Sequence, residues 1–126
     1  MAGLTLDSGA LIAFERGERR VVLHFAEAQR RGRGITVPTV VVAEVWRGGP
    51  RSARVASLLS SCIVEPLEVD LARSAGAAVA AITGAGIIDA IVMASAAMRG
   101  DYVLTSDFDD LDRLKLYFPS VRLLRV

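Results

Sequence analysis

The residues of this sequence best suited to chemistry are carboxylates: Asp7, Glu44, Asp89 and Asp107, with Asp110 three residues beyond the last. Taken singly, Asp7, Asp89 and Asp107 each read as a helix cap. Glu44 does not, because it sits in the apolar run "VVVAEV", where an acid needs a partner. Carboxylates brought together repel and raise one another's pKa unless a cation neutralises them. An all-oxygen donor set suits Mg²⁺ or Mn²⁺ rather than zinc. The chemistry such ions support is hydrolysis of a phosphodiester by activated water, with the ion polarising the phosphate and stabilising the leaving oxygen. The one histidine, His24, lies in an amphipathic stretch and reads as a packing or surface residue. That removes metal-free histidine acid–base chemistry.

Other uses of these acids are less consistent with the sequence. The stretch "VLTSDFDDLDRL" carries four aspartates in six positions, yet it is not a calcium loop. Counted from Asp107, the sixth and twelfth places hold Asp112 and Phe118 where an EF-hand needs Gly and Glu. Asp109 and Asp112 read as first-turn acids favoured by a helix dipole, and Asp110 shares a helical face with Asp107. No GxxxxGK[ST] or GxGxxG phosphate cradle is present.

The elements that must position the acids follow from the hydrophobic pattern. "GLTL" reads as a buried strand ending at Asp7, and "SGALIAFERG" as a helix with Ser8 as its cap. "ERRVVLHFAEAQRRG" has helical spacing, and "ITVP" is a second strand. "TVVVAEVWRGG" is ambiguous, since its β-branched run favours a strand; Thr39 after Pro38 is a fitting N-cap, and helix is the expectation. "RSARVASLLSS" reads as a helix, "CIVEPL" as a strand, "DLARSAGAAVAAITG" as a helix capped by Asp70, and "IDAIVMASAAMRG" as a helix beginning near Asp89. "YVLTS", a short helix after Asp107, and "VRLLRV" complete the chain. Strands alternating with helices predict a parallel sheet of four to five strands covered on both faces. In such a sheet ligands gather at the carboxyl ends of the strands. Asp7 and Asp107 follow strands there, and Asp89 begins a helix at the same edge. Glu44 lies about one and a half turns into its helix. Four acids spread over the chain thus converge on one rim.

At 126 residues the chain fits a single domain, 1–126, and its 52% hydrophobic content predicts a well-filled core. A formal net charge of +1 makes the molecule no general attractor for nucleic acid, although arginines crowd its first half. The single cysteine, Cys62, forms no internal pair, and the first twenty residues make a poor signal peptide; a cytoplasmic protein is expected. Residues 75–98 are long enough to span a bilayer, but they are mostly Ala and Gly, broken by "TGAG", with Asp89 near the middle. Two closely packed core helices, and no membrane association, are the expectation.

The order "LTLDSGALIA", "VPTVVVAEVWRG", "IIDAIVMASA" and "YVLTSDFDDL" resembles the PIN-domain ribonucleases, in particular VapC-type toxins of bacterial toxin–antitoxin pairs. The resemblance covers essentially the whole chain; each motif is weak alone, and the four in order are specific. It implies a three-layer α/β/α sandwich whose acidic pocket binds Mg²⁺ or Mn²⁺ and cleaves RNA. Asp7, Glu44, Asp89 and Asp107 match the four acids of the family, Asp110 an additional one, and Thr105 and Ser106 the polar pair that orients the fourth acid. The family start often has Asn or Ser two residues after the first Asp, where this chain has Gly9. The resemblance further implies a small VapB-like antitoxin and a homodimer, with Phe14, Trp46, Leu58 and Leu59 as candidates for a partner groove or for core packing. Two other classes remain open. A Mg²⁺-dependent phosphatase or phosphotransferase would want an acid at the place of Gly9 and a lysine near the last strand. A catalytically inactive PIN-fold binding module would have lost one of the acids.

Overall fold

The structure, a computed structural model, describes residues 2–126. Five strands form one sheet in the order β3-β2-β1-β4-β5, with every neighbouring pair parallel. They are β1 (Leu4–Leu6), β2 (Ile35–Pro38), β3 (Ile63–Glu65), β4 (Tyr102–Thr105) and β5 (Arg122–Arg125). The central β1 and β2 are buried along their whole length, whereas the edges β3 and β5 are largely exposed. Burial on both faces explains why the inner strands read as continuous apolar runs rather than as alternating ones.

Seven helices among the described residues cover the sheet: α1 (Ser8–Glu15), α2 (Arg19–Arg30), α3 (Thr39–Val45), α4 (Ala53–Leu59), α5 (Val69–Ala81), α6 (Ile87–Arg99) and α7 (Phe108–Leu114). Connections from β1 to β2 and from β2 to β3 move one way along the sheet, and those from β3 to β4 and from β4 to β5 move the other. Right-handed crossovers therefore put α1, α2 and α4 on one face and α5, α6 and α7 on the other. The result is the expected α/β/α sandwich. The strand order reverses at β1, whose neighbours are β2 and β4. The crevice at the carboxyl ends of β1 and β4 is thus the switch point where such sheets take ligands.

The ambiguous "TVVVAEV" segment is helix, with Pro38 ending β2 and Val41 and Val45 buried one turn apart. Thr39 is its first helical residue and makes no cap. Two further caps differ from expectation. Asp7, not Ser8, caps α1, its Oδ1 accepting the Ala10 N–H at 2.8 Å. Asp70 lies in the first turn of α5, behind Glu68 at the cap position. Short side chains let α5 and α6 pack closely: Leu71, Ala75 and Ala78 are buried on one, and every residue from Ala90 to Ala96 on the other. The link between them turns at Gly84, whose φ of +80° suits a residue without Cβ. No helix among the described residues is long and apolar enough to cross a membrane.

A buried polar network ties the layers together. Asp101, 6% exposed just before β4, accepts the Gly3 N–H at 3.0 Å, the Thr5 hydroxyl at 2.9 Å and Arg99 Nε at 2.9 Å. Arg99, at the end of α6, also donates to Thr5 Oγ1, Ser95 Oγ and the Glu65 carboxylate. One arginine thereby joins β1, β3, β4 and α6.

Candidate active site

Asp7 leaves β1 at the switch point and is 4% exposed. One carboxylate oxygen is committed to capping α1. Burial pushes its pKa up and the charge of Asp107 adds to this, while hydrogen bonds from the Thr105 hydroxyl and the Ala10 and Ser106 N–H groups pull it back. Asp7 thus caps α1 with Oδ1 while its carboxylate also accepts hydrogen bonds from Thr105 and Ser106.

Asp89 lies in the first turn of α6, whose cap position is Gly86, so its side chain is not used as a cap. Half-buried, it has its pKa raised to about 6, first by desolvation and then by the charges of Asp107, Asp110, Asp7 and Glu44. The other four acids singled out from the sequence are thus all within electrostatic reach of Asp89. Asp107 occupies the cap position of α7 but makes no capping bond, and its exposed carboxylate stays available. Its backbone N–H donates to Thr105 Oγ1 at 2.8 Å. Thr105 is fully buried and bridges Asp7 and the backbone of Asp107.

Glu44 is exposed on α3 despite its apolar neighbours, and the Ser8 hydroxyl bonds to its carboxylate. Asp110 is exposed in the first turn of α7, 4.0 Å from Arg113. Asp109 also lies in that turn, whereas Asp112 falls beyond it. Asp101, which adjoins these acids in sequence, sits at the other end of β4 in the polar network. His24 lies away from the rim, beside Arg33 and Tyr102. Cys62 is no nucleophile, since burial pushes its thiol up to about 11.

Gly9 has a structural reason to lack a side chain. A Cβ built there would lie 1.6 Å from Ser106 Oγ and 2.6 Å from Ser106 Cβ. Ser106 fills the space beside Asp7 that a residue at position 9 would otherwise occupy. Gly9→Ala is expected to displace the β4–α7 turn and to cost about 1–3 kcal/mol. Thermal melting checks this, with the Gly9→Ala/Ser106→Gly double variant expected to recover most of the loss.

Among the described residues no three carboxylates stand close enough together to hold a cation between them unaided. The donor set nevertheless fits a hard divalent ion. The five rim acids all offer oxygen donors, and the Asp89 pKa is raised by desolvation and then by the charges of the other four. Mg²⁺ keeps several of its waters and takes only one or two carboxylates directly, so a loose acidic ring suffices.

The sequence from residue 4 to 116 matches the PIN domain family model, and the chain belongs to that family. The same fold occurs in a chain of VapBC2 from Rickettsia felis bound to a promoter DNA fragment, with a TM-score of 0.79, 12% identity and 98% of each chain covered. DNA-bound VapBC from Salmonella typhimurium is similar over 99% of this chain and 98% of that one, with a TM-score of 0.78 and 18% identity. A toxin–antitoxin complex from Klebsiella pneumoniae gives a TM-score of 0.72 and 20% identity over 94% and 95%. A comparison with curated protein sequences finds no significant match.

Proposed function

We propose that this protein is a divalent-metal-dependent endoribonuclease, the toxin of a VapBC-type toxin–antitoxin pair. The observation that carries the reading is Asp89 beside the sheet's switch point, whose proton affinity is raised first by burial and then by the charges of four other acids. Membership of a nuclease family and the shared fold of toxin–antitoxin proteins support it. Asp7, Glu44, Asp89 and Asp107 hold Mg²⁺ or Mn²⁺ in this reading, with Asp110 beside them. A bound ion would supply charge neutralisation at the phosphate and a lowered pKa for attacking water. The chain's own residues fix the geometry: Thr105 orients Asp7 and the Asp107 backbone, Ser106 fills the gap over Gly9, and Ser8 holds Glu44.

An antitoxin belongs to the same reading. Phe14 and Leu58, two of the expected groove residues, line a cavity of about 520 Å³ with Val22, Phe25 and Arg54. Phe14 and Phe25 stack there at 4.6 Å, giving an apolar floor that suits a partner helix. Leu59 is half-buried against the core and Trp46 is exposed. A homodimer and a cytoplasmic location, where RNA substrate is found, complete the proposal. Against a phosphatase, position 9 has no room for an acid.

The test is cleavage of RNA by purified protein with Mg²⁺ or Mn²⁺, with EDTA, and with Asp7→Ala. Cleavage is expected only in the wild type with metal. Persistent cutting in EDTA, or an unimpaired Asp7→Ala protein, would overturn the mechanism.

A further inference from the structure

Beside Arg113, which pairs with Asp110, the rim has a second cationic border at Arg125. Arg125 pairs with Thr105 in the β4–β5 register, and the Val126 N–H donates to Thr105 O at 2.9 Å. The backbone therefore fixes Arg125 directly beside the residue that leads through Ser106 to Asp107. Its guanidinium lies 3.8 Å from the centroid of the Phe108 ring, a cation–π stack that orients it. A concavity of about 280 Å³ opens between Arg125 and Asp107, Asp109 and Asp110. Arg125 forms no ion pair with any of them among the described residues. Its donors are held in place and uncommitted.

Resting on the nuclease reading, we propose that Arg125 receives a phosphate of single-stranded RNA next to the one that is cut. A ring of carboxylates repels a polyanion, so the strand needs a cationic hold at the ring's edge. A planar guanidinium, already stacked, matches phosphate oxygens in bidentate fashion. The position is specific to this end of the strand. Arg122, on the same β5, faces the opposite edge, where it stacks over Tyr102 at 5.5 Å and donates to the Tyr102 hydroxyl at 2.8 Å.

The experiment compares Arg125→Gln, Arg122→Gln and wild type on one fluorescent single-stranded oligoribonucleotide. Arg125→Gln is expected to raise KM about tenfold with kcat unchanged, the pattern of lost uniform binding. The slope of log affinity against log salt should fall in magnitude by about 0.7, as for one lost phosphate contact to a single strand. Arg122→Gln should change neither, and both variants should melt like the wild type. Unchanged KM and slope in Arg125→Gln overturn the inference, as does an equal loss in Arg122→Gln. If the wild type binds the RNA without cutting it, the slope measured by fluorescence anisotropy still decides. A smaller slope in Arg125→Gln then sustains the contact and sinks only the nuclease reading. Absence of any RNA binding by the wild type overturns both.

Discussion

Asp89→Asn is expected to lower Mg²⁺-dependent RNA cleavage at least about a hundredfold while raising the melting temperature of the protein in EDTA at pH 7. The two effects have one origin. Burial and four neighbouring acids lift the Asp89 carboxyl from 3.8 to about 6, so the folded chain binds this proton more tightly than the unfolded chain does. The associated stability is fully present below about pH 4 and is lost as pH rises through about 6. At pH 7 the ionised carboxylate works against folding. Asp89 is only half-buried, so solvent screening reduces the gain from removing its charge to about 1–2 kcal/mol, or a few degrees of melting temperature. A divalent ion at the rim reverses the sign: added Mg²⁺ should stabilise the wild type and leave Asp89→Asn unmoved. Melting curves from pH 5 to 8, with EDTA and with Mg²⁺, check each part. An Asn variant that melts below wild type in EDTA would refute the electrostatic account, and one that still cuts RNA would remove Asp89 from the mechanism. Asp7→Ala should behave oppositely in EDTA, because it also removes the α1 cap, worth about 1 kcal/mol.

The central strands and the acids beside them were legible because both are written locally. "LTLD" and "YVLTSD" place an apolar run directly before an acid, and parallel topology then sends both acids to one edge. The caps were less legible, since Asp7 and Ser8 are adjacent and both accept an N–H; only the path of β1 into α1 decides for Asp7. Asp101 adjoins the rim acids in sequence, yet the four-residue strand between Asp101 and Asp107 places the two at opposite sheet edges. That was a readable signal. Glu44 inverted its local context: apolar neighbours suggested burial, but Val41 and Val45 take the core side of α3 and leave Glu44 outward, next to Ser8. Arg125 and the Gly9–Ser106 contact could not be read at all. They depend on a strand register and on the approach of segments almost a hundred residues apart, and neither leaves a periodicity in the chain.

Removing the Asp101 carboxylate should reduce stability more than any single change at the rim. Asp101→Ala strips hydrogen bonds from the Gly3 N–H, the Thr5 hydroxyl and Arg99 Nε together, and leaves those donors in a site that water barely reaches. Breaking a buried pair from one side costs about 3–5 kcal/mol. The Arg99 side chain keeps 28% of its surface in solvent and a second carboxylate, Glu65, so the low end applies. The expected loss is about 3 kcal/mol, a fall in melting temperature of roughly 10 °C. Arg99→Met should cost a comparable amount, and the double variant distinctly less than the sum, because each single change strands groups that the other shares. The network sits at the far end of β4 from Asp107, so it acts on folding rather than on chemistry. At a temperature where Asp101→Ala is still folded, its metal-dependent cleavage should match the wild type. A variant that melts normally would show the network to be energetically idle. One that is fully folded yet inactive would mean that Arg99 and Asp101 set the position of Asp89 along α6, and the separation between fold and rim would fail.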